Sequence, residues 1–266
     1  MTVATDLHTA AAQGVLWSAR AQDWATHQEP QHHEIYTSVL VHVPKVAGQR
    51  ILDVGCGSGA FIRRAAKHGA TVSGLDAATG LVTIARRRVP GADLRVGDLE
   101  SLPYDDASFD IVTGFDAFSY AADPVAALTE AHRVLKPRGL VAAVSWGPPE
   151  ECQGAGHIEA VTPFLPPSGE GIPDPFALFE AGALSELVVA AGFSDPVEHD
   201  VTSTWEYDDE STLLRGLLSA GPLVRAVAHS GSYAVTSAVL KAVEPYRTVD
   251  GGYRLRNVFR YVVATA

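Results

Sequence analysis

Three glycines at alternating positions follow an apolar run and a carboxylate early in the chain. The segment Ile51–Gly59, with the sequence ILDVGCGSG, joins a predicted buried strand to a predicted helix that begins near Ala60. Because Gly55, Gly57 and Gly59 lack Cβ atoms, the loop can adopt positive φ values and let a ligand approach its main chain closely. The free amides and positive dipole end of the helix point at the same space, which suits a carboxylate. The segment therefore predicts a ligand-binding loop.

Carboxylates stand at the ends of the next two predicted strands. Asp76 ends the strand Thr71–Asp76, where an acidic side chain one βαβ step after the loop can accept hydrogen bonds from both hydroxyls of a ribose. A turn or helix N-cap is the alternative role for this aspartate, and the two roles are compatible. Asp98 ends the strand Asp93–Asp98, and an ordinary loop aspartate is the alternative there.

The glycine loop alone is compatible with other kinds of site. A phosphate-binding Walker loop would need Lys and Ser or Thr after Gly59, where the chain has Ala60 and Phe61. A dinucleotide site of the Gly-x-Gly-x-x-Gly type tolerates Ala60 at its third glycine, so an NAD site stays open. His157-Ile158-Glu159 is too little for a metal site, and the sequence has no His-Glu-x-x-His or paired cysteine motif. No metal site is predicted.

The loop, Asp76, the segment Gly97–Tyr104 with the following Ser108–Val112, and the passage Glu130–Leu140 together resemble the class I S-adenosylmethionine-dependent methyltransferases. The core is similar to that of the ubiquinone and menaquinone methyltransferases. The resemblance covers about residues 50 to 146. It implies S-adenosylmethionine as the cofactor, held by the following residues: Asp53, Gly55, Cys56, Gly57, Gly59, Asp76, Ala77, Asp98, Leu99 and Phe115.

The resemblance also implies how the cofactor lies and what it does. Asp98 would accept a hydrogen bond from the adenine amino group, the amide of Leu99 would face the ring, and Phe115 would lie beside the methionyl group. The implied reaction is methyl transfer by in-line displacement to an oxygen, nitrogen or carbon of a small-molecule acceptor. An NAD-dependent oxidoreductase and a non-methylating S-adenosylmethionine-binding protein remain as alternatives.

No catalytic residue is predicted, because the histidines in the sequence have competing roles. His132 lies at helical spacing with apolar residues and is predicted to be a scaffold residue. His32, His33 and His157 lie in segments that could reach the substrate. The remaining candidates, His199 and His229, are predicted to lie on the surface.

Aromatic residues occur in the segments predicted to frame an acceptor pocket. Such a pocket would suit a flat or apolar molecule, although aromatic residues in these places are equally common in cores. The residues concerned are Trp17, Trp24, Phe164, Phe176, Phe179 and Trp205.

Composition limits the partners and the compartment. The chain has 266 residues and a formal net charge of −11, with a pI near 5.3, so nucleic acid and anionic membrane surfaces are not predicted partners. Cys56 and Cys152 are too few for a disulfide framework, and no apolar run approaches the roughly 20 residues of a membrane span. The sequence predicts an unprocessed cytoplasmic protein and leaves the oligomeric state open.

Strand and helix candidates alternate through the middle of the chain, which predicts an α/β fold with a parallel sheet. By resemblance this is a Rossmann-like sheet of seven strands, mostly parallel, whose last strand is antiparallel, with a helical cap insertion. The strand candidates are 51–54, 71–76, 93–98, 110–115, 140–146, 197–207 and 253–265. One domain is predicted: a helical segment 1–49, a cofactor-binding core 50–147, and substrate-side insertions 148–182 and 208–247. An irregular loop is predicted at 147–175.

Overall fold

The structure is a computed structural model that describes residues 9–43, 45–167, 178 and 180–266. Within these residues seven strands form one sheet: β1 (Arg50–Val54), β2 (Thr71–Asp76), β3 (Asp93–Val96), β4 (Phe109–Phe115), β5 (Leu135–Trp146), β6 (Ser194–Tyr207) and β7 (Tyr253–Thr265). Their order across the sheet is β3-β2-β1-β4-β5-β7-β6. The seven-stranded sheet predicted from the sequence is confirmed.

Strand direction follows from the pairing of each neighbour. β1 pairs in parallel with β2 and β4, β2 with β3, and β4 with β5. β7 runs antiparallel to both β5 and β6. Only the last strand is therefore reversed within this sheet, as predicted.

Five of the seven strands differ from their predicted bounds. β1 and β4 each begin one residue earlier than predicted, and β6 begins at Ser194 rather than at residue 197. β3 ends at Val96 rather than Asp98, because the chain turns there and the amide of Ser101 donates to the carbonyl of Asp98 at 3.2 Å. β5 begins at Leu135 rather than at residue 140. The preceding helix ends at Val134, consistent with the extended backbone that Pro137 favours in the residue before it.

Helices cover both faces of the sheet. They are α1 (Ala10–Ala19), α2 (Ala21–Asp23), α3 (His33–His42), α4 (Ala60–Lys67), α5 (Thr79–Arg88), α6 (Pro124–Val134), α7 (Ala155–Val161), α8 (Ala183–Ala190), α9 (Glu210–Leu217), α10 (Gly221–Ser230) and α11 (Ser232–Val243). Side chains of α3, α4 and α5 share one core cluster, which includes Val39, Ile62 and Val82. Side chains of α6 and α8 share the other, which includes Leu128 and Leu184.

The N-terminal segment is helical, as predicted, and packs against the carboxyl side of the sheet. α1 and α2 are followed by a π-helical turn (Trp24–Gln28) and a 3-10 turn (Glu29–His32) that lead into α3. α1 contacts α5 and α10. The hydroxyl of Ser18 accepts the amide of Gly80 at 3.1 Å, which joins α1 to the first turn of α5.

The two predicted insertions differ in how well the sequence anticipated them. Between β6 and β7 the chain forms α9, α10 and α11, where helices were predicted. In 148–182 the prediction of an irregular loop is wrong for α7. The amide of Gly154 donates to Asn257 at 2.7 Å and α7 packs on α11, so tertiary contacts order this Pro- and Gly-rich segment. Among the described residues, no helix combines the length and the apolar character needed to span a membrane.

Candidate functional site

A cavity lies at the carboxyl edge of β1, β2 and β4, beneath the N-terminal segment. The chain order of the strands reverses between β1 and β4, and open α/β sheets bind ligands at such a switch point. Nine of the ten residues predicted to hold the cofactor line the cavity: Asp53, Gly55, Cys56, Gly57, Asp76, Ala77, Asp98, Leu99 and Phe115. The tenth, Gly59, is not among the lining residues. Its φ of +85° turns the chain into α4, and a Cβ there would lie 3.1 Å from Ala85.

The glycine loop is held close to its neighbours on both sides. The amides of Gly55 and Cys56 both donate to the carbonyl of Leu75, at 2.8 and 3.0 Å. Gly55 has φ +73° and Gly57 has φ +54°. A Cβ on Gly55 would lie 2.5 Å from the Cβ of Ala117, and one on Gly57 would lie 2.7 Å from the carboxylate of Glu29. The loop therefore requires glycine at these two positions both for backbone conformation and for space.

Asp76 joins this loop to the start of α5. One carboxylate oxygen accepts the amide of Gly57 and the other accepts the amide of Ala78, each at 2.8 Å. Burial raises the pKa of this carboxyl group, while the two amides act in the opposite direction. The turn role considered from the sequence is thus present, and the same carboxylate also lines the cavity.

Hydrogen bonds within the chain hold the segment that carries Asp98 and Leu99. Oδ1 of Asp98 accepts the amide of Glu100 at 2.9 Å. The carboxylate of Glu100 accepts the amides of Ala122 and Asp123, at 3.1 and 2.9 Å, which fastens the segment to the start of α6. Asp98 and Leu99 therefore line the cavity on a segment that these hydrogen bonds hold in place.

Asp53 lies at the end of β1 and is 2% exposed. The hydroxyl of Thr113 on β4 donates to Oδ1 of Asp53 at 2.7 Å. Burial raises the pKa of Asp53 well above its usual range, and the nearby carboxylates Glu29 and Asp76 raise it further. Position and burial make Asp53 a fixed polar group in the floor of the cavity.

An ion pair that the sequence did not predict, between the buried Glu29 and the partly exposed Arg88, connects the N-terminal segment to the loop. Oε1 of Glu29 accepts the amide of Ser58 at 2.7 Å, and Oε2 accepts the Ser58 hydroxyl and the Arg88 guanidinium. Arg88 also donates to the carbonyl of Ala25 at 2.6 Å. The carboxylate beside the N-terminal end of α4 is therefore that of Glu29, a residue of the chain itself, and not that of a ligand. Glu29 was missed because its partners lie far away along the sequence, and no local motif marks it.

Aromatic side chains of the N-terminal segment cover one end of the cavity. The rings of Trp17 and Trp24 pack edge to face at 4.8 Å, and Trp17 packs in the same manner on Tyr120 at 5.7 Å. The hydroxyl of Thr9 donates to the carbonyl of Tyr120 at 2.6 Å. Leu217, at the end of α9, lines the cavity as well, so the insertion between β6 and β7 contributes to the same wall.

The other end of the cavity is lined by rings around Phe115. Tyr36 packs edge to face on Phe115 at 4.8 Å. Trp146 and Trp205 lie 5.4 Å apart, and the ring of His157 lies 6.3 Å from Trp205. Of the aromatic residues predicted to frame a pocket, Trp17, Trp24 and Trp205 line the cavity, Phe164 does not, and Phe176 and Phe179 lie outside the described residues.

The candidate histidines differ in burial and in their position relative to the cavity. His32 and His157 are buried in the cavity wall, and burial lowers the pKa of each to about 4, so both are neutral at physiological pH. His33 is exposed, and its Nδ1 atom lies 3.0 Å from Oε2 of Glu34. His132 packs on Phe193, as expected for a scaffold residue. For the two predicted surface residues, His229 is exposed and His199 is partly buried against His42, at 3.9 Å.

Carboxylates dominate the charge of the cavity. They belong to Glu29, Asp53, Asp76, Asp98 and Asp116, whereas no lysine or arginine is found among the described residues that line it. Across residues 9–43, 45–167, 178 and 180–266, no group of three or more metal-binding side chains comes together. The cavity is therefore electrostatically suited to a cationic ligand.

Comparison with known proteins agrees with this architecture. Residues 52–143 match the sequence profile described as a methyltransferase domain. The chain is 37% identical over 94 residues to malonyl-[acyl-carrier protein] O-methyltransferase of Serratia marcescens, covering 35% of this chain and 37% of that protein. It is 37% identical over 111 residues to demethylmenaquinone methyltransferase of Renibacterium salmoninarum, covering 42% and 47%. The chain thus spans less than half the length of these two curated relatives.

Solved structures extend the similarity to most of the chain. A SAM-dependent methyltransferase of Thermotoga maritima matches with a TM-score of 0.54 at 18% identity, covering 88% of each chain. The [4+2]-cyclase SpnF matches with a TM-score of 0.55 at 24% identity, covering 87% of this chain and 80% of that one. The fold is the class I methyltransferase fold, and the resemblance inferred from the sequence motifs is confirmed.

Proposed function

We propose that the protein transfers a methyl group from S-adenosylmethionine to a small-molecule acceptor. The observation that carries the proposal is the acidic lining of the cavity: five aspartate and glutamate side chains and no lysine or arginine among its described lining residues. S-adenosylmethionine has a sulfonium and an ammonium group against a single carboxylate, so its net charge is positive and this cavity favours it electrostatically. The methyltransferase profile over residues 52–143 supports the same conclusion.

The same charge pattern argues against the NAD-dependent alternative. A dinucleotide places its pyrophosphate on the amides at the start of the helix after the glycine loop. Here the amide of Ser58 already bonds the buried carboxylate of Glu29 at 2.7 Å. A second anion at this place would meet like charge, with Arg88 already engaged by Glu29.

The lining residues fit the proposed cofactor from end to end. Asp98 and Leu99 would hold the adenine, Asp76 the ribose, and Gly55 and Gly57 the amino-acid portion, whose ammonium group suits the carboxylates nearby. When bound, the cofactor supplies a methyl group that the sulfonium has already activated. What remains for the chain is to hold the acceptor in line and to exclude water, and the aromatic walls around Phe115 serve both needs.

Domain organisation and partners follow from this assignment as further proposals. The chain forms one domain, in which 50–147 bind the cofactor, while 148–182 and 208–247 shape the acceptor side; His157 and Leu217 are their contributions to the cavity wall. Nucleic acid is not the acceptor, given a net charge of −11. Two buried free cysteines suit a reducing cytoplasm.

Calorimetric titration with S-adenosylhomocysteine, with NAD in parallel, tests the cofactor. We expect S-adenosylhomocysteine to bind and NAD not to bind. The substitution Asp98→Asn should weaken the affinity for S-adenosylhomocysteine by about tenfold or more, because a hydrogen bond to a charged group is lost. Asp105→Asn is the matched control, because Asp105 is exposed and lies outside the cavity lining. Binding of NAD alone would overturn the proposal. Mass analysis of a methylated product then distinguishes an enzyme from a protein that only binds the cofactor.

A further inference from the structure

Asp116, the residue after β4, has an unusual backbone. Its φ is +52°, in the left-handed region that residues with side chains seldom adopt. The conformation is fixed by the amide of Asp116, which donates to the carbonyl of Val144 at 3.0 Å, and by the Ser119 hydroxyl, which donates to the Asp116 carbonyl at 3.4 Å. Strain of this kind persists where the surrounding structure imposes it, and it is concentrated at functional sites.

The side chain of Asp116 has an unsatisfied polar atom in the cavity wall. Oδ1 is enclosed and has no hydrogen-bond partner, although Asp116 lines the cavity. The other four lining carboxylates, on Glu29, Asp53, Asp76 and Asp98, each accept a hydrogen bond from the chain. An unpaired buried carboxylate oxygen is costly, so its retention beside Phe115 points to a partner that arrives with the substrate.

The surroundings of Asp116 define what that partner can be. The rings of Phe115, Tyr36, Trp146 and Trp205 offer apolar faces at this end of the cavity. Because the described lining includes no lysine or arginine, an acceptor with a carboxylate or phosphate group would be left without a counter-charge among like charges.

We propose that Asp116 accepts the hydrogen bond and then the proton of a hydroxyl group on an uncharged, planar acceptor. This inference rests on the proposed function and specifies its substrate class. The lone pair of the acceptor oxygen forms the new bond to the methyl carbon, the electron pair of the broken carbon–sulfur bond stays on sulfur, and the hydroxyl proton passes to Asp116. From there the proton leaves to solvent.

Charge balance favours a hydroxyl over an amine. In the step above, the positive sulfonium and the negative carboxylate are both neutralised, and neutralisation of charge is favourable in an enclosed site of low dielectric. An alkylamine acceptor would enter as an ammonium ion at neutral pH. An unpaired carboxylate beside it would stabilise that protonated form, which has no lone pair for attack.

Burial, and not a neighbouring charged group, shifts the pKa of Asp116. Burial raises the pKa of Asp116 to about 7. Burial raises the pKa of Tyr36 in α3 and of Cys152 before α7, and the negative charge of Asp116 raises both pKa values further. Both groups therefore stay protonated near neutral pH. The other titratable groups of the cavity wall are His32 and His157, which are neutral, the carboxyl groups of Glu29, Asp53, Asp76 and Asp98, the thiol of Cys56 and the hydroxyl of Tyr120.

The test compares the wild-type protein with Asp116→Asn. Asparagine tolerates a positive φ and keeps an oxygen in place, but cannot take the proton. With naphthol as the probe acceptor, we expect kcat/KM to fall about 100-fold or more, and its rise with pH through about 7 to disappear. The affinity for S-adenosylhomocysteine should stay within about twofold in the variant, which would show that the fold and the cofactor site are intact.

Three matched probes test the acceptor class on the protein saturated with S-adenosylhomocysteine: naphthol, hydroxynaphthoate and naphthylmethylamine. We expect naphthol to bind, and to be methylated when S-adenosylmethionine takes the place of S-adenosylhomocysteine. Hydroxynaphthoate should bind at least about tenfold more weakly. Failure of naphthol to bind, preference for either of the other probes, or an unchanged pH profile in Asp116→Asn would overturn the inference. None of these outcomes affects the cofactor assignment, which the titration with S-adenosylhomocysteine decides separately.

Discussion

At the scale of single residues, Gly57 joins three parts of the site. Its amide donates to Asp76 at 2.8 Å, its φ is +54°, and the space where a Cβ would stand is filled by the Glu29 carboxylate at 2.7 Å. The glycine loop, the end of β2 and the N-terminal segment thus meet at one backbone position. Gly57 is needed both for its positive φ and for the close approach of Glu29. Substitutions can separate these two requirements.

Alanine at Gly57 should be far more harmful than alanine at another glycine of similar φ. Gly91, in the turn before β3, has φ +89° and no atom within 4 Å of the Cβ position. We expect Gly91→Ala to lower the free energy of unfolding by about 1–2 kcal/mol, from backbone strain alone. Gly57→Ala should lose roughly 1–3 kcal/mol more, since Glu29 must move.

Denaturant unfolding and titration with S-adenosylhomocysteine measure the two effects. Only Gly57→Ala should weaken ligand affinity, by about tenfold or more, because only that loop lines the cavity. Equal losses of stability and affinity in the two variants would mean that the contact between Gly57 and Glu29 has no role of its own.

At the scale of elements, the N-terminal segment is placed by a close contact between α1 and the loop after β2. A Cβ on Gly14 of α1 would lie 2.4 Å from the carbonyl oxygen of Ala77. Ala77 lines the cavity, and α1 carries Trp17, which lines it too. The packing of α1 against this loop therefore determines how α1 covers the cavity.

Alanine at Gly14 should displace α1, although alanine favours helices. The matched control is Gly156→Ala in α7, where no atom lies within 4 Å of the Cβ position. Gly156→Ala should leave the free energy of unfolding unchanged or raise it by up to about 1 kcal/mol. Gly14→Ala should lower it by about 1–3 kcal/mol through overpacking, and limited proteolysis should cut the N-terminal segment faster. Equal stability of the two variants would contradict this seating of α1.

Local sequence patterns explain which elements could be predicted. Strand and helix periodicity predicted the sheet, and β7 was predicted with its observed bounds, because alternation depends on neighbouring residues only. Asp98 stood out because it ends a strand candidate within a recognisable segment. Glu29 and α7 did not, since Glu29 is defined by contacts with Ser58 and Arg88, and α7 by its packing on α11. Tertiary contacts of this kind leave no periodic signal.

At the scale of the whole molecule, the cavity combines two kinds of buried titratable group with opposite effects on stability. Burial raises the pKa of the Asp116 carboxyl group from 3.8 to about 7, and lowers the pKa of the His157 imidazole from 6.5 to about 4. Between pH 4 and 6.5 the folded chain binds more protons at Asp116, and fewer at His157, than the unfolded chain does. The pH dependence of the wild-type protein therefore contains two opposing contributions, which substitution can separate.

Removal of one group at a time should reveal slopes of opposite sign. His157 contributes stability that is lost as pH falls from 6.5 towards 4; His157→Gln should therefore gain relative to wild type with acidification, by up to about 1.4 kcal/mol per pH unit. Asp116 contributes stability that is lost as pH rises from 3.8 towards 7, so Asp116→Asn should gain relative to wild type over that rise. Urea unfolding of the ligand-free proteins across this range measures both slopes. Parallel pH profiles for wild type and His157→Gln would mean that this imidazole is as well solvated in the folded chain as in the unfolded one.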